Sequence, residues 1–358
     1  MKVWIDFLTP KYLLFFTKLA ERLRSSGHEV LLTTRAHREV LGLMKLKDVE
    51  ALVVGRYGLT LREKLVASIE RMRELIPKIS DFGPDVAISH SSPEAARVAF
   101  GLGISHYSVS DTPHNVPVMK LTLPLSALLF CPWVIPKDVW LGFGISSDRI
   151  IQYRGIDQIA WIKDFKPDAD YVKSLGIPIN RDIITIRESE VFASYLLGSV
   201  DSLAPVTDSL LPYLIKKFDD AFFVILPRYE HQIEYIRSKY GDDRILVLDR
   251  AFDGANVIYF SKVFIGGGGT MTGEAALLGV PTISAYPKGG LYIIDYLVKM
   301  GLVFHVGSVQ EVFGLIEKML EDDEFRKDIK DRADSLMRSM ENPIDVIFNH
   351  ICQRGGAV

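Results

Sequence analysis

Short β-rich apolar runs alternate with helical patterns along almost all of this 358-residue chain. Strands joined through intervening helices need crossover connections and pair in parallel, so this alternation restricts the chain to the α/β class. KVWIDFL opens the series. The helical pattern from Tyr12 to Arg24 puts Leu13, Phe16, Leu19, Ala20 and Leu23 on one face, Gly27 supplies a stop, and HEVLLTT follows as the next strand. The alternation continues through ALVVG, a helix over Leu61–Ile79, DVAISH, a helix over Pro93–Gly101 and ISHYSVS. It lapses around QYRGIDQIAWIKDFKPD and resumes at Asp182 with DIITIR, a helix from Ser202 to Phe218, AFFVILP, a helix from Gln232 to Tyr240, RILVLD and KVFIGGGG. A glycine-opened helix, PTISAY, a helix over Tyr292–Met300 and a mixed-charge, solvated helix over Glu321–Met340 complete it. Two Rossmann-like parallel-sheet domains are expected, 1–165 and 166–340, facing an interdomain cleft, with 341–358 as a terminal segment. Ligands of open α/β sheets bind beyond the carboxyl ends of the strands, so the loops there are where chemistry is expected.

Composition removes several function classes. A formal charge of −3 provides no basic field for a nucleic-acid backbone, so nucleic acid is not an expected partner. Cys131 and Cys352 form neither a CxxC nor a metal set, which fits a cytoplasmic compartment. The one long uncharged run, Leu121 to Pro136, is too short to span a bilayer and carries three prolines. It has two accounts. One is a buried strand and loop, the favoured reading because parallel strands are continuously apolar. The other is an exposed lip touching a membrane or a lipid-linked acceptor, which would make the protein peripheral at the inner face of the membrane.

The second domain carries the most specific motif. In VFIGGGGTMTGEAALLGVPTIS a strand runs into four glycines and then a helix, an order that aims backbone N–H groups and a helix N-terminus at an anion such as phosphate. Thr270 and Thr272 offer caps and hydroxyls. A Walker loop fails because Glu274 stands where lysine is required after Gly268–Gly273. The dinucleotide fingerprint fails at Met271 in one register and at Thr272 in the other. Arg187 and Arg228 follow apolar strands, at positions where guanidinium groups neutralise a diphosphate without a metal; ion pairing of Arg187 with Glu188 or Glu190 is the alternative.

The stretch GGGTMTGEAALLGVP resembles the donor-site signature of GT-B nucleotide-sugar enzymes, including the MurG-type transferases and the UDP-N-acetylglucosamine 2-epimerases. Their pattern is a small-residue turn, Glu, four residues, Gly, any residue, Pro; here it is Glu274, AALL, Gly279, Val280, Pro281. The looser likeness covers most of the chain and is strongest to uncharacterised prokaryotic proteins classed as predicted glycosyltransferases. The resemblance implies a GT-B-like fold whose final helix, Asp345–Cys352, crosses back to the first domain. It implies that Glu274 binds both ribose hydroxyls and that Gly268, Gly269, Thr270 and Thr272 hold the diphosphate. The loop Asp249–Gly254 would lie against the base. It further implies a nucleotide-sugar donor, with UDP the leading nucleotide, as co-substrate, with no metal and no other cofactor.

In the first domain, SHSSPE and VSDTPHN follow strands, and Asp111, His114 and His90 are the candidate bases for an acceptor hydroxyl. Lys11, in the loop after the first strand, is a further candidate for acceptor or phosphate contact. DVAISHSSPEAARVAFGLGISHYSVSD resembles the 2-epimerase segment of generic form DVVLVHGDTTTT, helix, LGIPV, HVEAG. The acidic positions of that segment are Ser91 or Ser92 and Ser110 here, with Asp111 one place later. The departure favours glycosyl transfer to an unidentified hydroxyl acceptor over epimerisation; a nucleotide-sugar binder without catalysis is the remaining alternative.

Overall fold

The structure, a computed structural model, describes residues 1–188, 206–285, 291–305 and 309–355. Its contacts divide the chain into two compact units, Met1–Trp161 with Met340–Val358, and Ile162–Ser339.

In unit 1, the strands among the described residues are β1 (Lys2–Asp6), β2 (Glu29–Ala36), β3 (Leu52–Arg56), β4 (Val86–Ser89), β5 (Ser105–Val109), β6 (Leu128–Pro132) and β7 (Ile150–Tyr153). They form one parallel sheet in the order β3-β2-β1-β4-β5-β6-β7. The order reverses beside β1, so the loops after β1 and β4 diverge at the topological switch point. The helix Pro10–Ser25 begins there, with Pro10 in its first turn, where the missing N–H costs nothing. Its buried stripe includes Leu13, Phe16, Leu19 and Leu23.

The run from Leu121 to Pro136 is mostly interior. It closes the helix Val116–Thr122, makes one tight turn, and enters β6, all of whose residues are buried. Leu121, 61% exposed, is the exception among its large apolar side chains. The helix Pro343–Gly355 packs on Pro10–Ser25, with Ile344, Ile347 and Ile351 buried and Arg22 paired to Asp345 at 2.9 Å.

In unit 2, the strands among the described residues are β8 (Ile183–Arg187), β9 (Phe222–Leu226), β10 (Ile245–Val247), β11 (Val263–Gly266), β12 (Thr282–Ser284) and β13 (Val303–His305). They form a parallel sheet in the order β10-β9-β8-β11-β12-β13. Its core joins Ile184, Ile186, Phe223, Ile225 and Ile265 to Leu211 and Leu214 of the helix Val206–Lys217. The expected start of that helix at Ser202 lies outside the described residues, as does Tyr286 at the end of PTISAY.

Candidate functional site

Unit 2 presents the glycine run at the carboxyl end of β11, a central strand paired to β8 and β12. The Gly267 N–H donates to the Arg187 carbonyl at 2.9 Å, and the helix Gly269–Leu278 begins with Gly268 as its cap residue. The threonines do not cap it. Thr272 is fully buried and its hydroxyl donates back to the Gly268 carbonyl, so it points into the turn. A Cβ on Gly266 would collide with that hydroxyl, which requires glycine there. At the other end, Gly279 adopts φ 73°, the left-handed cap that glycine accommodates.

One charged side chain reaches this turn, and a second lies further along the helix it opens. A Cβ on Gly268 would stand 3.0 Å from Arg228 Nη2, and one on Gly254 would stand 3.6 Å from Glu274 Oε2. Glu274 is therefore a buried carboxylate, 4% exposed, facing the end of the loop Asp249–Gly254. In that loop Asp253 caps the helix Gly254–Tyr259, and Phe252 is half-buried. Arg228 Nε donates to the Glu188 carbonyl at 3.1 Å, and Arg187 Nη1 donates to the Pro227 carbonyl at 2.9 Å. Both guanidinium groups are thus tied to the ends of β8 and β9. The Glu188 carboxylate instead accepts from the N–H groups of Val206 and Thr207, each at 2.9 Å. Glu190 lies outside the described residues.

Unit 1 presents a charged network at the same end of its sheet. Lys11 Nζ pairs with Asp111 after β5 and, at 2.8 Å, with Asp157 after β7. The Tyr12 hydroxyl lies between both carboxylates, at 3.1 Å from Asp111 and 3.0 Å from Asp157, and the Tyr153 hydroxyl donates to Asp157. Burial would depress the Lys11 pKa, but the two carboxylates outweigh it and hold lysine cationic. Burial would likewise raise Asp111, yet Lys11, His90 and the Tyr12 hydroxyl bring it below the usual carboxylate range. Asp157, fully buried, is raised because burial outweighs Lys11.

His90 stacks on Tyr12 with ring centroids 3.2 Å apart, and its Nε2 is buried without a hydrogen-bond partner. Burial first, and then Lys11, push it well below the ordinary imidazole range, so it is neutral near pH 7. His114 is lowered by burial and feels both Asp111 and Lys11. The structure therefore brings Lys11, His90 and Asp111 together with His114 at the margin, and adds Tyr12, Tyr153 and Asp157, which sequence reasoning did not single out.

Ser91 and Ser92 are used internally. The Ser91 hydroxyl pairs with Ser108 at 2.9 Å, and Ser92 caps the helix Pro93–Gly101. His106 is locked between Ser89 at 2.8 Å and Ser126 at 2.9 Å, and burial pushes its pKa to about 4. Deeper still, Arg71 grips Asp6 through two nitrogens at 3.1 and 2.5 Å. Among the described residues, no group of three or more His, Cys, Asp or Glu side chains is arranged to hold a metal ion.

A family described as "Protein of unknown function (DUF354)" matches residues 1–355. The chain belongs to this family. An uncharacterised protein of Methanocaldococcus jannaschii is 30% identical over 98% of each chain, so this DUF354 protein has a full-length relative. Among solved structures, the S. aureus MnaA–UDP co-structure superposes at a TM-score of 0.74 with 16% identity, covering 100% of this chain and 97% of the other. The UDP-GlcNAc 2-epimerase of Neisseria meningitidis bound to UDP-GlcNAc gives 0.71 and 18%, over 99% and 100%. Anabaena HepE in complex with UDP and glucose gives 0.65 and 13%, over 99% of each. At these identities the likeness establishes the fold, which is GT-B-like.

Proposed function

We propose that this DUF354 protein is a glycosyltransferase that takes a nucleotide diphosphate sugar, UDP-linked, at the β11 end of unit 2. The observation that carries the reading is a side-chain-free turn with Arg228 beside Gly268 and, in the helix it opens, the buried Glu274 carboxylate facing Gly254. Glu274 offers two acceptor oxygens to the ribose hydroxyls. Backbone N–H groups at Gly268, Gly269 and Thr270 receive the diphosphate, and Arg187 and Arg228 stabilise it as it leaves without a metal ion. Because the Thr272 hydroxyl is turned inward, the threonine contribution narrows to Thr270.

In the transfer, the bond from the anomeric carbon to phosphate oxygen breaks with its electron pair leaving on the diphosphate. The acceptor oxygen forms the new bond and loses its proton. The Asp111 oxygens are occupied by Lys11 and Tyr12, whereas His90 Nε2 has no hydrogen-bond partner. His90 is accordingly the assigned proton acceptor, with Asp111 stabilising the imidazolium.

Epimerisation of a UDP-sugar is the second reading, favoured by the same cluster of acid and base groups and by the 2-epimerase neighbours. Calorimetry with UDP and UDP-sugars, on wild type and Glu274→Ala, tests the donor site: absence of binding, or equal binding by the variant, removes it. Incubation with UDP-N-acetylglucosamine alone separates the two chemistries, since an isomerised product without acceptor is incompatible with the transferase.

A further inference from the structure

The helix Leu61–Phe82 carries two adjoining apolar stripes, the exposed one confined to residues 61–76. One, with Ala67, Leu75 and Ile79, is buried against unit 1. The other is open: Leu61 is 68% exposed, Leu65 62%, Ile69 55% and Ile76 46%. At 3.6 residues per turn these four fall within roughly 80° of arc, so they form one stripe and not scattered exposures. Contiguous exposed stripes of large aliphatics mark interaction surfaces.

Charge identifies what the stripe faces. Arg62 and Arg73 border it on one side and Lys64, part-buried beside Tyr57, on the other. Glu63, Glu70, Glu74 and Asp81 gather on the opposite side of the helix, centred about 160° away. Apolar residues flanked by cations, with the acids turned away, are complementary to an anionic lipid surface. A second copy fits less well, because antiparallel packing of this stripe on itself sets Arg62 and Arg73 against their own counterparts, a like-charge juxtaposition. Among the described residues no helix is long and apolar enough to cross a membrane, so the contact is interfacial.

We propose that the exposed face of Leu61–Phe82 docks the protein onto anionic phospholipid, with the aliphatic stripe entering the headgroup boundary and Arg62 and Arg73 meeting lipid phosphates. The helix starts five residues after β3 ends. The proposal stands independently of the sugar-transfer reading.

The test is co-sedimentation of the full chain with phosphatidylcholine vesicles, with and without about one third phosphatidylglycerol. Binding is expected to the anionic vesicles, falling as salt is added. Arg62→Gln with Arg73→Gln should weaken it roughly thirtyfold, from about 1 kcal/mol per cation. Leu65→Ser with Ile69→Ser should abolish it, with circular dichroism melting reporting the fold. The proposal is overturned if wild type ignores both vesicle types, binds them equally, or forms in sedimentation velocity a dimer that Leu65→Ser with Ile69→Ser dissociates. The wild-type preference decides the matter even if the variants misfold.

Discussion

The two sheet edges solve the same placement problem with opposite materials. In unit 2 the turn after β11 is mostly backbone: glycines clear space, Arg228 approaches it, and Glu274 faces the neighbouring loop at Gly254. In unit 1 the corresponding edge is filled with interlocked side chains, Lys11 between Asp111 and Asp157 and two tyrosine hydroxyls closing the carboxylates. A backbone turn brings little charge of its own. A side-chain network supplies its own and must be neutralised internally to fold.

The difference has measurable consequences. Lys11→Met leaves two buried carboxylates without their cation, and breaking such a set costs about 3–5 kcal/mol. Urea unfolding followed by circular dichroism should show that loss, while UDP affinity, which the proposed function assigns to unit 2, should stay near wild type. Glu274→Gln should do the reverse: UDP affinity falls roughly ten- to hundredfold, as expected for about 1.5–3 kcal/mol from a charged hydrogen bond, with little change in unfolding. If calorimetry shows the nucleotide indifferent to Glu274 but sensitive to Lys11, the comparison is inverted.

A third effect is the acid sensitivity of unit 1. His106, with a pKa of about 4, lies below the ordinary imidazole value, so the unfolded chain binds the proton first. Its contribution is complete above about pH 6.5 and is lost as pH falls toward 4, amounting to roughly 2 kcal/mol at pH 5. His106→Asn, which retains polar ends toward Ser89 and Ser126, should flatten the dependence of melting temperature on pH between 7 and 5. An unchanged slope would assign the acid sensitivity elsewhere. The smallest effect is Gly268→Ala, whose Cβ meets only the end of Arg228: stability should change by less than about 1 kcal/mol, and UDP affinity several-fold. Equal UDP binding by this variant would separate Arg228 from the nucleotide.

The same contrast explains what could be read from sequence. The fold class followed from strand and helix periodicity, and the glycine turn is one contiguous motif whose strand, turn and helix order is legible along the chain. The β7 strand and the helix Arg38–Leu46 escaped notice because IIQY and REVLGLMKL are short. The unit 1 network was only partly visible. His90 and Asp111 stand out as loop groups after strands, but Asp157 sits 46 positions beyond Asp111 in a stretch with no pattern, and Tyr12 reads as the first apolar residue of a helix. Their association is a product of strand order, which places β7 and β1 in one sheet. The inward turn of Thr272 was also invisible, since a threonine after a glycine run carries the same letters whether it caps or packs.

The return of Pro343–Gly355 to the first unit bears on biogenesis. Glu341 clasps Arg154 through two backbone-centred hydrogen bonds, at 2.6 and 3.0 Å, and Ile344, Ile347 and Ile351 then fill a groove beside Pro10–Ser25. All of Ile162–Ser339 is synthesised before that groove can be filled. A ribosome-bound chain would therefore complete its second unit while the first still shows an open apolar furrow. Covering it has to wait for residues 340–351, so the first unit to be synthesised is not the first to be closed.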